Sequence, residues 1–546
     1  MTRQRRSWPF LLLLAACLLS GCEPPPSEPS SDSHTNWLRV CASDHDCAGL
    51  SCECGVCTLP CAQDRECAAT PGANCLAANA AGTVALCGGA RPSAAGLCLP
   101  SCSTDDACAG GQACVAGACQ PLAEPGVHVA VDTSTTLGTL TGFGAAIGYS
   151  EDELALASRD PALAELMFAE LGLDVLRLRN RYGDVGADGL ATAGEVVAAA
   201  TQSLGRPPLL MLASWSPPAE LKQNGKTFCS GESTSCTLRT LPDGEYDYAG
   251  FASYWRDSLA AYAQAGVMPD YIGIQNNPDW VPPPGSWFEA CRFLPGEDAL
   301  YPGYDRAFAA VELALADLPQ RPRIAAPELS GAHGTEQYLE RLDLSRVHAI
   351  AHHLYGQDPE RVDLDRLEAL RQLERSTALP LFQSEMQSDG YGTALLIHHA
   401  LVTAGASMYL QTALASPRSG PLANPFALLG LEDGQLTPQD PYHAMRHFAR
   451  FTEAGFRRVA ATSTLPDILA SAWLAPDEQA LVVILLNAGA SPQVVGLDSL
   501  GADLRLARVV RSVFTGSERS VTLGSGELES GLPLPPRAIA TLRYER

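Results

Sequence analysis

A parallel eight-stranded (β/α)8 barrel of the α/β class, with a small antiparallel β-sandwich after it and a disulfide-rich region before it, is predicted by three observations. From about Val127 the chain alternates short apolar runs with helical patterns. After about Phe456 the helical patterns stop and strand-like runs remain. Between Cys41 and Cys119 lie 14 cysteines in about 80 residues. At 546 residues the chain exceeds one domain of ordinary size.

The N-terminus carries Arg3, Arg5 and Arg6 before an apolar run from Phe10 to Leu19. About ten residues are too few to span a bilayer and suit a signal peptide. The run ends Leu19-Ser20-Gly21-Cys22, which resembles the bacterial lipobox. That resemblance implies lipid on Cys22 as the first mature residue, with a membrane as partner and an envelope location facing an oxidising space. Plain secretion with cleavage nearby is the alternative. Residues 1–22 are thus read as signal peptide and lipobox, and 23–36, rich in proline and serine, as a flexible tether.

Residues 37–122 form the cysteine-rich region. So many cysteines in so short an exported segment indicate a disulfide framework, because the segment cannot bury an adequate core. Cys41–Cys47, Cys61–Cys67 and Cys102–Cys108 repeat a Cys-x5-Cys spacing with Asp at the third intervening position. Cys54-Gly-Val-Cys57 alone could suggest zinc, but histidines are few and the compartment is oxidising, so no metal is expected. The pairing is not deducible from spacing, and a spacer or adhesion role is the default.

The barrel is expected over 127–455. Its candidate strands are Thr141–Ile147, Val175–Asn180, Pro208–Ser214, Tyr271–Gln275, Arg323–Pro327, Val347–His353, Pro380–Ser384 and Ala406–Gln411. They read as continuous apolar runs, as strands buried on both faces do. Helical patterns fall between them, among them Ala162–Leu171, Phe251–Ala265, Tyr304–Leu318, Asp363–Thr377, Thr393–Ala404 and Tyr442–Phe451. A doubly wound open sheet is the rival, yet no glycine-rich phosphate loop follows any strand. The sandwich is expected over 456–546, with a further strand from about 127–135. A net charge of -24 makes nucleic acid an improbable partner, since phosphate binding needs clustered Lys and Arg. Oligomeric state is not readable.

In such barrels the working residues stand at the C-terminal ends of the strands. Those ends carry Arg177 and Arg179, then Trp215-Ser-Pro-Pro218, then Asn276-Asn277-Pro278-Asp279, then Glu328, then His352, His353 and Tyr355, and finally Glu385. Carboxylates, amides, an aromatic and histidines on one rim suit a neutral polyol. Each alone has a plainer reading: Trp215 as core, Tyr355 as a strand-end cap, Glu385 as a partner for Arg177. His352 and His353 alternate faces, so one of them only packs, and a metal pair is improbable.

Five motifs stand in order: Gly142-Phe-Gly144, Ala213-Ser-Trp215-Ser-Pro-Pro218, Ile274-Gln-Asn276-x-Pro278-Asp279, His353-x-Tyr355 and Phe382-x-Ser-Glu385. Together they resemble glycoside hydrolase family 30, over about residues 127 to 546. The resemblance implies a retaining hydrolase of β-linked carbohydrate that needs no metal or cofactor. It implies Glu385 as nucleophile, held ionised by Arg177, with Asn276 on the sugar 2-hydroxyl and Trp215, His353 and Tyr355 lining the subsite. The family's acid/base position is occupied by Asn277, an amide with no proton to give. Asp279 and Glu328 are the nearest substitute acids. Tyr409-Leu410-Gln411 on the last strand stand where many members carry a stacking tryptophan.

Two readings follow: an enzyme with its acid impaired or supplied elsewhere, or a catalytically dead carbohydrate-binding lipoprotein. Xylan, β-glucan and a glucosyl conjugate are all open as substrate. Arg418 in the last loop is weak support for an acidic branch. Cys229 and Cys236 flank a polar loop and are expected to pair, which leaves Cys291 as a buried thiol.

Overall fold

In the computed structural model, eight strands close into one barrel. The structure describes residues 126–546 except 149, 232–233, 421–422, 499–502 and 525–530. Before them it describes 37, 41, 44–47, 49–53, 56–68, 70, 72–77, 96–102, 112–115 and 118–121 of the cysteine-rich region. The signal peptide, Cys22 and tether expected at 1–36 lie outside the described residues, as does Cys54. No helix among the described residues is long and apolar enough to cross a membrane.

The barrel strands are β1 (Gly142–Ala146), β2 (Val175–Arg179), β3 (Leu209–Ala213), β4 (Tyr271–Gly273), β5 (Arg323–Leu329), β6 (Ala349–His353), β7 (Leu381–Met386) and β8 (Met408–Gln411). Sequence neighbours pair in parallel, and β8 closes on β1 with Met408 opposite Gly142. Side chains alternate between lumen and helical shell, as period-two strands require. Inward go Val175, Met211, Tyr271, Ala325, Ala349, Ala351, Phe382, Met408 and Leu410, which plug the lumen. Tyr271 and Phe382 meet edge to face at 5.1 Å, and the alanines of β5 and β6 leave them room. Outward go Leu176, Leu178, Leu212 and Ile350, into the large core shared with the helices.

Alternation breaks twice, and both breaks matter for the site. On β5, Pro327 faces Ala351 and Leu329 faces His352, so Glu328 is an extra residue. Its φ is 63°, in the left-handed region. On β7, Gln383 faces His352 and Glu385 faces His353, so Ser384 is skipped. Phe382 points into the lumen, and strict alternation would send Ser384 inward and Glu385 outward. The bulge at Ser384 reverses this, a common device for re-aiming a side chain beside a site.

Helices occupy the six spans read from the sequence, including Tyr248–Gln264, Tyr304–Ala314 and Leu364–Thr377. Two of them continue into π-helical turns, at Glu165–Ala169 and His399–Thr403. The longest helix among the described residues, Ala187–Leu204, lies between β2 and β3.

Beyond the barrel, one nine-stranded sheet folds over itself. One of its interior strands is Val127–Thr139, which precedes the barrel and lies between Arg457–Ser463 and Gln493–Asp498. The edge strand Leu532–Leu534 shares a core with Ala538, Ala540 and Leu542 of Ala538–Glu545, third from the opposite edge, so the sheet closes into a sandwich. Val482, Ile484 and Ile539 on the other face join the barrel core.

The cysteine-rich region repeats one small unit. A 3-10 turn (Asp44–Cys47) precedes a hairpin (Ser51–Glu53 with Val56–Thr58), and Asp64–Cys67 precedes a second (Ala73–Ala77 with Gly96–Pro100). Disulfides interleave: Cys41–Cys52 with Cys47–Cys57, then Cys61–Cys75 with Cys67–Cys98. The repeated aspartates have a visible purpose. Asp44 accepts the amide of Cys52 at 2.7 Å, and Asp64 accepts that of Cys75 at 2.8 Å. A third hairpin (Gln112–Val115 with Ala118–Pro121) carries Cys114, bridged to Cys102. The cysteine groupings that could hold a metal fall within these bridges.

Candidate active site

Arg177 lies two residues after Val175 on β2 and so inherits its lumen-facing side. It is fully buried and organises the site. One terminal nitrogen donates to Glu385 Oε2 at 2.6 Å; the other donates to Asn276 Oδ1 at 2.7 Å and to Glu328 Oε1 at 3.0 Å. The guanidinium lies 4.4 Å from the Trp215 ring centroid, a cation–π contact that covers one indole face. Burial alone would lower the Arg177 pKa, but the two carboxylates outweigh it and hold it above its ordinary value.

The second oxygen of Glu385 is also engaged. Tyr355 Oη donates to Oε1 at 3.0 Å. Burial, and then the neighbouring Glu385, push the Tyr355 hydroxyl well above the usual phenol range, so it stays a donor. His353 faces the same space, edge-on to Tyr355 with centroids 5.9 Å apart. Its Nε2 is 4.0 Å from Glu328 Oε1, too far for a hydrogen bond. His352 turns the other way, is fully buried, and has no polar partner for either ring nitrogen. Burial, then the adjacent His353, depress its pKa to about 3.

Arg177, Asn276, Trp215, Tyr355, His353, Glu328 and Glu385 thus meet at the C-terminal mouth of the barrel. No protein-family profile and no curated protein matches the chain. Solved structures do. The catalytic domain of the GH30 xylanase C from Talaromyces cellulolyticus aligns with a TM-score of 0.60 at 18% identity, over 77% of this chain and 100% of that one. The family 30 subfamily 8 xylanase Xyn30A from Clostridium acetobutylicum gives 0.54 at 18% identity, over 77% and 100%. The endo-beta1,6-glucanase BT3312 gives 0.55 at 14% identity, over 77% and 94%. The fold is that of glycoside hydrolase family 30.

Within this family-30 fold, Asn277 has a φ of 49°, a conformation that asparagine tolerates better than most residues. Its backbone N–H donates to Glu328 O at 3.0 Å, which ties together two left-handed residues at neighbouring strand ends. Its side-chain Oδ1 is buried and accepts no hydrogen bond.

Neither substitute acid is free for the task. Asp279 Oδ1 accepts the Ser330 amide at 2.9 Å and Oδ2 accepts the Ser330 hydroxyl at 2.8 Å. Glu328 is fully buried; burial pulls its pKa up, but Arg177, with His353 beside it, holds it below the usual carboxylate range. A carboxyl so held is ionised at neutral pH and has no proton to donate. Its Oε2 lies against Gly273, where an added Cβ would come within 1.7 Å.

Two supporting residues, Gln275 and Glu289, were not singled out by sequence reasoning, and Arg179 was read only as a strand-end residue. Gln275 donates to Trp215 O at 2.9 Å and to Asn276 O at 3.0 Å, which fixes both rim residues. Arg179, two residues beyond Arg177, pairs with Asp184 and with Glu289 in the loop after β4. Glu289 sits in no recognisable motif. Tyr409 faces the helical core rather than the lumen. Arg418 lies 3.6 Å from Glu432 at the surface. Cys229 and Cys236 are bridged, and Cys291 is a buried free thiol that burial pushes up to about 12.

Proposed function

We propose that the chain is a retaining hydrolase of β-linked glycans, with Glu385 as nucleophile and acid assistance impaired at Asn277. One observation carries this reading: at the end of β7, Glu385 has a phenol on one oxygen and a guanidinium on the other, in a barrel of the family-30 fold. Oε1, held by the neutral donor Tyr355, is the oxygen that attacks the anomeric carbon. The glycosidic C–O bond breaks as the ester to Glu385 forms, and its electron pair leaves on the departing oxygen. Water then hydrolyses the ester. Asn276 spends its carbonyl on Arg177, which leaves its NH2 for the sugar 2-hydroxyl.

Asn277 can donate a hydrogen bond to the glycosidic oxygen but cannot protonate it. General acid–base assistance is worth about 10²–10⁴-fold, and its loss weighs most on sugar alkoxides. Aryl glycosides, whose leaving groups need little protonation, remain within reach. The engagement of Asp279 and Glu328 also supports a second reading, a glycan-binding protein that no longer turns over. In either case the lipobox reading of Cys22 places the protein at the cell envelope, and the disulfides fit an oxidising compartment.

The test compares the wild-type protein, Asn277→Glu and Glu385→Gln on aryl β-glycosides, glucuronoxylan and β-1,6-glucan. The expected result is slow aryl-glycoside cleavage that Glu385→Gln abolishes, with polymer cleavage rising about 10²-fold or more in Asn277→Glu. Wild-type polymer cleavage that survives in Glu385→Gln would overturn the assignment of the nucleophile. A silent wild type that Asn277→Glu awakens would favour the binding reading.

A further inference from the structure

We propose that Arg371, Arg375 and Arg458 form a binding site for an oxyanion of the phosphate or sulfate kind at the foot of the barrel. The site stands apart from the glycosidase reading and does not depend on it. Three arginines are buried among the described residues: Arg177, Arg458 and Arg511. Arg177 is matched by Glu328 and Glu385, and Arg511 by Glu518. Arg458 has no such match. Its terminal nitrogens donate only to backbone, to Val402 O at 3.5 Å and to Leu137 O at 3.4 Å, both long for hydrogen bonds.

The neighbours of Arg458 add to its charge. Arg371 Nη1 donates to the same Val402 carbonyl at 3.1 Å, so two guanidiniums crowd one acceptor. Arg375 follows one turn later on the helix Leu364–Thr377, where residues four apart share a face. Neither forms an ion pair with a carboxylate among the described residues. Burial, then Arg371, lower Arg458 to about 10 in spite of Glu374 nearby. The helix Leu364–Thr377 and the helical run Gly390–Thr403 both end here, and each C-terminus offers about half a negative charge. With Glu374 these ends answer about two of the three positive charges, which leaves about one over. A buried charge without a counter-charge is strongly unfavourable, and a bound anion removes that penalty.

The residue type and the placement select the ligand. Guanidinium forks match the oxygens of phosphate or sulfate two at a time, which a lysine ammonium does not. Arg375 is exposed, Arg371 half-buried and Arg458 buried, so an anion has a way in from solvent. Buried His398, near enough to feel the charge of Arg458, keeps an Nδ1 without a hydrogen-bond partner. Val402 lies in the turn before β8, and Leu137 lies on the strand that leads into β1. The site is therefore at the opposite end of the barrel from Glu385. An anion there joins the helices that precede β7 and β8 to the strand that carries Arg458. A free ion and the headgroup of an anionic lipid present the same phosphate chemistry, and the test separates them.

The test is calorimetric titration of inorganic phosphate, and separately of sulfate, into the full chain in chloride buffer at fixed ionic strength. Arg458→Met and Arg375→Gln are run beside the wild type; thermal melting checks folding, and Arg375→Gln alone serves if Arg458→Met does not fold. Saturable binding with a Kd of about 1 mM or tighter is expected, weakened about tenfold or more in Arg458→Met and about threefold in Arg375→Gln. The melting temperature of the wild type is expected to rise with phosphate and to level off as the site fills. Sedimentation of the unlipidated chain with phosphatidylcholine vesicles, with and without phosphatidylglycerol, identifies the source. Capture by the anionic vesicles that phosphate displaces and Arg375→Gln weakens assigns a lipid headgroup, whereas phosphate binding without capture assigns the free ion. No saturable binding of either ion up to about 20 mM, or binding that both variants leave unchanged, overturns the inference.

Discussion

Removing the Arg177 guanidinium would strand Glu328 and Glu385 as buried, unpaired carboxylates and take a donor from Asn276. Arg177→Ala is expected to lower stability by about 3–5 kcal/mol, read as a shift in the urea midpoint, because breaking a buried ion pair leaves its partners desolvated. A loss below about 1 kcal/mol would mean that the cluster relaxes into water. That Arg177, Glu385, Asn276 and Tyr355 would stand on one rim was legible from their places at the strand ends. The aim of Glu385 was not: alternation from the lumen-facing Phe382 directs it outward, and only the bulge at Ser384 corrects this. Nor did the sequence reveal that Asp279 is occupied by Ser330, a contact between loops 51 residues apart.

At the scale of the elements, the site depends on small residues that let strand ends converge. Gly273 on β4 is the sharpest case, since any Cβ there would overlap Glu328 Oε2. Gly273→Ala is expected to cost about 1–3 kcal/mol as an overpacked core change and to disturb Glu328 first. A melting temperature equal to wild type would contradict that packing. All eight barrel strands were readable, because strands buried on both faces give continuous apolar runs. Three sandwich strands were not: Arg457–Ser463, Val521–Leu523 and Leu532–Leu534. The first is half-buried and opens with two arginines, and the others are three residues long, so neither gives a clear period. Helix Ala187–Leu204 is rich in Ala, Thr and Gly, which blurs the contrast between its faces.

At the scale of the molecule, buried histidines set the response to acid. His352, His398 and His447 are fully or almost fully buried, and burial, with neighbouring cationic groups, depresses each to about 3. His447 sits between the hydroxyls of Thr541 and Ser512, both at 2.9 Å, where the barrel meets the sheet. The unfolded chain takes up protons below the ordinary 6.5, whereas the folded chain does so only near 3. Stability is therefore complete above about pH 6.5 and declines as pH falls toward 3, by up to about 1.4 kcal/mol per pH unit for each histidine. Urea midpoints at pH 7.5, 6 and 5 check this, and His447→Gln is expected to reduce the slope. The sheet's strand order has a consequence in time. Val127–Thr139 must wait for Arg457–Ser463, more than 300 residues later, before its ladder can form. At bacterial-like synthesis rates of about 5–20 residues per second that wait is roughly 15–70 s. Throughout it the entry to the barrel is an unsealed edge, so the newborn chain needs shelter until its last hundred residues arrive.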